Sequence, residues 1–244
     1  MHLHIYKDAE ATTIALADWI TLLIKKTLEV KDRFTIALSG GETPKKLYQT
    51  LASDSFSEKI TWSRVHIFWG DERIVPFEDD KNNAKMAYDN LLCKVDIPSG
   101  QIHKMLTDIK PEESAKQYEK ILHQYFDEEQ TTFDLVLLGM GEDGHTLSLF
   151  PGSEILHDDN SWVKAVHSKE KGERITLMPS IVNRSSAVAF LVTGEKKAKV
   201  LQHVLEGADN NYPVQLIQPL NNELHWFIDE SIAQYLNKLD DAIN

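Results

Sequence analysis

Thiols are almost missing from this chain: Cys93 is its one cysteine. No intrachain disulfide framework can be built from it, and a reducing compartment fits. There is no CxxC pair and no Cys/His cluster, so no structural zinc and no other metal is expected. Positive charge is also scarce. Lys and Arg total 26 against 38 Asp and Glu, a net charge of -12 over 244 residues. That balance excludes general binding to nucleic acid or to an anionic membrane surface. It leaves open a small anionic substrate in a locally positive pocket. No apolar run reaches membrane-spanning length, and the N-terminus lacks the basic-then-apolar plan of a signal peptide. The expectation is a cytoplasmic protein, monomeric or weakly dimeric. Repeats, low-complexity segments and linkers are absent, so residues 1–244 read as a single domain. The G-x-S-x-G elbow of serine hydrolases is absent as well.

What is present is alternation. Short apolar runs at His2–Tyr6, Phe34–Leu38, Val65–Trp69, Phe133–Leu138, Ala187–Thr193 and Glu223–Ile228 read as strands, and Trp162–Val166 and Ile175–Met178 as shorter ones. Between them lie helical stretches. Ala9–Val30 carries Ile14, Ala17, Ile20, Leu23, Ile24 and Leu28 on one face, and Pro111–Phe126 starts with two acids favourable to its positive end. Such alternation predicts a three-layer α/β/α, Rossmann-like fold with a largely parallel sheet.

The chemistry-bearing residues follow strand ends, where open α/β sheets bind ligands. After Phe34–Leu38 comes Ser39-Gly40-Gly41-Glu42-Thr43-Pro44. Thr43 suits an N-cap and Pro44 a first helical position, so a helix over Pro44–Leu51 is predicted to aim its N-terminus at the Gly-Gly turn. That is an anion site, with Ser39 and Thr43 adding hydroxyls. A plain strand-to-helix turn is an equal reading of this loop alone. After Val65–Trp69 comes Gly70-Asp71-Glu72-Arg73, either a polar site wall or an exposed ion-pair cluster. After the most apolar strand comes Gly139-Met140-Gly141-Glu142-Asp143-Gly144-His145-Thr146, then Ser148-Leu149-Phe150-Pro151-Gly152. The three glycines also satisfy the dinucleotide pattern G-x-G-x-x-G. Pro151-Gly152 curtails the helix that pattern needs, however, and the following strand ends in His167 rather than an acid.

These three loops together resemble the signatures of the 6-phosphogluconolactonases, and the resemblance covers nearly the whole chain. It implies the fold of the phosphosugar isomerases and deaminases, and hydrolysis of 6-phospho-D-glucono-1,5-lactone to 6-phospho-D-gluconate, the second step of the oxidative pentose phosphate pathway. The implied partner is a small phosphosugar lactone, with no cofactor. It further implies that Ser39, Gly40, Gly41 and Thr43 contact the sugar phosphate, that Asn83 and Gly144 lie by the site, and that Arg174, in Arg174-Ile175-Thr176, reaches the substrate. Lys196 is expected to match the Gly-x-x-Lys-Ala element. The charged segment from Lys169 to Arg174 replaces a proline-rich one and reads as a mobile loop.

Lactone hydrolysis needs an activated water, an oxyanion stabiliser and a proton for the departing ring oxygen. His145 suits both proton tasks, since imidazole ordinarily titrates near 6.5. Asp71 or Asp143 is expected to orient it, and Arg73 or loop N–H groups to stabilise the oxyanion. Glucosamine-6-phosphate deaminases share a similar turn but continue His-Ile-Ala-Phe-Asn-Glu-Pro. Here Thr146–Pro151 supplies no matching carboxylate. A non-catalytic phosphosugar sensor is the other alternative, and the intact His145 counts against it.

Overall fold

A computed structural model describes residues 1–158, 160–207 and 211–237. Its strands are β1 (His2–Tyr6), β2 (Phe34–Leu38), β3 (Val65–Trp69), β4 (Asp71–Arg73), β5 (Leu135–Leu138), β6 (Val163–Ser168), β7 (Gly172–Leu177), β8 (Val188–Val192) and β9 (Leu224–Asp229). The helices are α1 (Ala9–Leu28), α2 (Glu42–Leu51), α3 (Asp54–Ser57), α4 (Asn83–Ala87), α5 (Pro111–Phe126), α6 (Pro179–Val182), α7 (Ala198–Glu206) and α8 (Glu230–Ala233).

Six strands form one parallel sheet in the order β1-β9-β8-β5-β2-β3. Every residue of β2, β5 and β8 is buried. That is why these strands read as continuous apolar runs: helices cover both faces, and no polar alternation survives. One face packs on α1, α2 and α4 through Leu16, Ile20, Leu47, Tyr48 and Ala87. The other packs on α5 to α8 through Tyr118, Leu122, Ile181, Leu201 and Ile232. Each fully buried Leu or Ile contributes roughly 1.5–3 kcal/mol of burial. The expected three-layer α/β/α arrangement is therefore present. Among the described residues no helix is long and apolar enough to cross a membrane.

β2 and β5 are neighbours, but the chain leaves β2 toward β3 on one side and leaves β5 toward β8 on the other. Connections that diverge this way open a crevice at the strands' carboxyl ends. The Ser39 and Gly139 loops both begin there.

Three local expectations need correction. A second sheet, β4-β7-β6, is antiparallel. The segment Lys169–Arg174 is therefore not a free loop: its first three residues turn a hairpin, and Gly172–Arg174 belong to β7. Helix α2 starts at Glu42 with Gly41 as its cap, so Thr43 does not cap it and Pro44 is its third residue. Helix α1 ends two residues earlier than expected, at Leu28. Asp229 does cap the following helix, accepting from Ile232 N–H. The remainder of that terminal segment, residues 238–244, lies outside the described residues, as do 159 and 208–210.

Candidate active site

At the β2/β5 crevice lies a cavity of about 230 Å³. Of the residues that the sequence marks, Ser39, Gly40, Gly41, Thr43, Asp71, Arg73, Asn83, His145 and Arg174 line it.

The β2–α2 loop is held by a residue that reading missed. Ser39 N–H donates to the Tyr48 hydroxyl at 3.0 Å, and that hydroxyl donates back to Ser39 O at 2.7 Å. Tyr48 is buried on α2, and burial pushes its phenol well above the ordinary range. Tyr118 repeats the device at the end of β3, accepting from Trp69 N–H at 2.8 Å and donating to Trp69 O at 3.1 Å. The turn thereby presents the start of α2 to the cavity. Lys45 N–H closes the first helical bond to Gly41 O, and Pro44 has no N–H. The amides of Gly41, Glu42 and Thr43 precede that bond, so their N–H groups have no intrahelical acceptor. With the helix dipole they form an anion site. The Glu42 carboxylate stays largely exposed, 3.7 Å from Lys45.

The β5 loop positions the histidine. Gly144 turns the chain at φ 75°, and a Cβ there would come within 2.2 Å of the Tyr212 ring. Gly144 is thus a turn-former packed on Tyr212, beside the residues that line the cavity rather than among them. Asp143 bonds to His145 Nδ1 and also accepts from His145 N–H at 3.2 Å. Nε2 is left as the ring nitrogen without a bond to any described residue. Burial opposes the charge on Asp143, but the hydrogen bonds and proximity of His145 outweigh it and hold the carboxyl below its ordinary value. Phe150 packs against the imidazole, with ring centroids 5.0 Å apart. The next residue but one, Leu147, lines the cavity in a left-handed conformation at φ 55°.

Of the two acids expected to orient His145, the geometry brings Asp143 and not Asp71 to it. Asp71 accepts from Ser148 Oγ at 2.7 Å and lies 3.9 Å from Arg174. Its neighbour Glu72 points away, into the start of α4. There it accepts from the N–H groups of Asn83, Ala84 and Arg73, each at 2.8 Å. Burial pushes Glu72 up to about 7 in spite of those bonds, and nearby Asp71 adds to the rise. Asn83 relays this anchoring. Its Nδ2 donates to Asp71 O at 2.9 Å, and its Oδ1 accepts from Arg73 at 2.5 Å. The cationic side of the cavity is therefore assembled on a buried acid, which no local pattern announces.

The lysine needs a correction of one residue. Lys196 is exposed, and Lys197 lines the cavity. Counted from Gly194, Gly-x-x-Lys-Ala itself reaches Lys197, directly before Ala198. Burial draws the Lys197 ammonium below the ordinary lysine range, with Glu142 opposing.

Comparison with known proteins gives a consistent result. The family model for glucosamine-6-phosphate isomerases/6-phosphogluconolactonase matches residues 7–226. A protein of Synechocystis sp. named 6-phosphogluconolactonase is 39% identical over 223 residues, 89% of this chain and 90% of its own. One of the same name from Nostoc sp. is 38% identical over 94% of this chain and 96% of its own. The crystal structure of 6-phosphogluconolactonase from Thermotoga maritima superposes with a TM-score of 0.82 at 29% identity, covering 94% of this chain and 99% of that one. With a family model that spans most of its length and relatives at 38–39% identity along nearly all of it, the chain belongs to the glucosamine-6-phosphate isomerase/6-phosphogluconolactonase family.

Proposed function

We propose that this protein hydrolyses 6-phospho-D-glucono-1,5-lactone to 6-phospho-D-gluconate. The observation that carries the reading is His145, paired with Asp143 behind it, lining a cavity that Arg73, Arg174, Lys197 and the start of α2 also line. A lone general base needs a fixed tautomer. Asp143 holds the proton on Nδ1 and leaves Nε2 with its lone pair. Nε2 takes a proton from water as its oxygen bonds to the lactone carbonyl carbon. The carbonyl π electrons pass to the oxygen, and Arg73 is the cation placed to meet that charge. Collapse of the adduct breaks the bond to the ring oxygen, which takes the proton back from the imidazolium. The phosphate sits on the N-terminus of α2 and on Lys197, with Arg174 at its side, and so fixes the carbonyl against the water. No step in this scheme needs a cofactor. A deaminase would require proton transfer at carbon, and the loop after His145 carries no carboxylate for it.

The test is the decay of freshly generated lactone above its spontaneous rate, with wild type, His145→Asn and Asp143→Asn. Wild type should accelerate it. His145→Asn should lose about 10²–10⁴-fold in kcat, the usual weight of general acid–base catalysis, and Asp143→Asn a smaller part of that with KM little changed. Asp143 is held below its ordinary range, so it keeps its charge as the acceptor for the His145 ring. Full activity in folded His145→Asn would overturn the mechanism. No turnover by wild type would overturn the activity.

A further inference from the structure

At the opposite end of the sheet, β1 and β9 carry a cluster that the proposed reaction does not use. β1 opens His2-x-His4, and β9 is entered through Glu223-x-His225. A period of two puts His2 and His4 on one face of β1, and likewise Glu223 and His225 on β9. The strands are parallel neighbours with His2 paired to His225, which brings all four donors to one patch. His225 Nε2 lies 3.0 Å from Glu223 Oε2, and His2 Nε2 lies 3.8 Å from the same oxygen. Ligand atoms of His2, Glu223 and His225 all fall within 4.8 Å of one another.

We propose that His2, Glu223 and His225 form a transition-metal site, with zinc the best-fitting ion, that fastens the edge strand β1 to β9. Atoms sharing a tetrahedral zinc at bonds of about 2.0–2.1 Å sit roughly 3.3 Å apart. The Glu223–His225 pair is already at that spacing. His2 lies 3.8 Å from the Glu223 oxygen and within 4.8 Å of the His225 ligand atom, so it has to close by up to about 1.5 Å, and its half-exposed ring at the start of the edge strand has room to move. The second ring nitrogen of His225 is also provided for. Nδ1 lies 3.1 Å from His4 Nε2. With the proton on Nδ1 donated to His4, the Nε2 lone pair of His225 is left for the metal. This is the outer-sphere arrangement that orients ligating histidines. Packing fixes the His225 ring, with His4 at a centroid distance of 5.4 Å and Trp19 of α1 at 4.7 Å, whereas His2, stacked on it at 4.6 Å, has to turn out of the stack so that its in-plane lone pair meets the same ion. Two imidazoles and one carboxylate favour zinc, nickel or copper over calcium or magnesium. Scarcity of cysteine excludes a thiolate zinc site, and the histidines supply a different donor set. The metal would tie residues 221 positions apart, and its effect would fall on stability.

The experiment is calorimetric titration of the tag-free, chelator-stripped full chain with zinc chloride, together with its thermal midpoint with and without zinc. One zinc per chain and a raised midpoint are expected. His2→Ala and Glu223→Gln alter exposed side chains that leave the core intact. Each should weaken zinc binding roughly tenfold or more, with lactone hydrolysis unchanged. Absence of stoichiometric binding by wild type, or equal binding by both variants, would overturn the proposal.

Discussion

Lys197 stands in the cavity wall with part of its hydration stripped away, and an ammonium in that condition gains from any anion that replaces the lost water. Lys196, one residue earlier, keeps its water. The two therefore predict opposite outcomes for one chemical change. A charge-assisted hydrogen bond is worth about 1.5–3 kcal/mol, so Lys197→Met should raise KM for the lactone by roughly ten- to a hundredfold. Lys196→Met should leave it near wild type. Initial rates across lactone concentration decide this, and a larger effect at Lys196 would return the phosphate contact to that residue. The sequence pattern held this answer, because Gly-x-x-Lys-Ala counts to Lys197. The error was one of register. Asp143 differs: it lies in the loop after β5 while Asp71 opens β4, and only the fold shows which reaches His145.

At the scale of elements, the β2–α2 turn and the start of α4 are packed backbone to side chain. A Cβ on Gly40 would fall 1.9 Å from Asn83 Oδ1 and 2.4 Å from its Cγ. Asn83 is buried and fixed at three points, by Glu72, Asp71 and Arg73, so it has no room to retreat. Gly40→Ala should cost about 1–3 kcal/mol, the range for overpacking, and should lower kcat/KM as Arg73 and the anion turn shift. Urea midpoints and steady-state rates would check both, and wild-type values in both would show that the turn yields freely. Elements of this kind also mark the limit of what was legible. β2, β5 and β8 announce themselves because burial on two faces leaves only apolar residues. Asp71-Glu72-Arg73 forms a strand only because β7, a hundred residues later, pairs with it, and a charged tripeptide carries no local sign of that pairing. The helix after β2 was visible, but its first residue was not. Thr43-Pro44 mimics a cap and first turn, whereas Gly41 at φ 110° starts the helix earlier.

For the molecule as a whole, buried titratable groups set the response to acid, and they pull in opposite directions. Glu72 is raised from 4.5 to about 7. Its contribution to stability is fully present below 4.5 and is lost as pH rises through 7. His103 is lowered from 6.5 to about 4, first by burial and then by His66 beside it. Its contribution is present above 6.5 and is lost as pH falls through 4. His66 is lowered too, by burial and then Arg33. His4 also comes down to about 4, by burial and then His225. Over the shared window between about 4.5 and 6.5 the histidines outnumber the single glutamate, so stability should fall on acidification. His103 is well placed to test this. It packs on Phe68 with centroids 4.6 Å apart, and its Nε2 lies 2.9 Å from the Tyr125 hydroxyl, which also lies 3.0 Å from His66 Nδ1. That network accommodates two neutral rings, and a proton on either places a cation among partly buried groups. Urea unfolding with chelator present, at pH 7 and pH 5, should show a lower midpoint in acid for wild type. His103→Gln keeps a hydrogen-bonding side chain but cannot take up the proton. It should start less stable at pH 7 and lose less between the two pH values. An equal loss in both proteins would assign the acid sensitivity to groups outside the His66–His103–Tyr125 cluster.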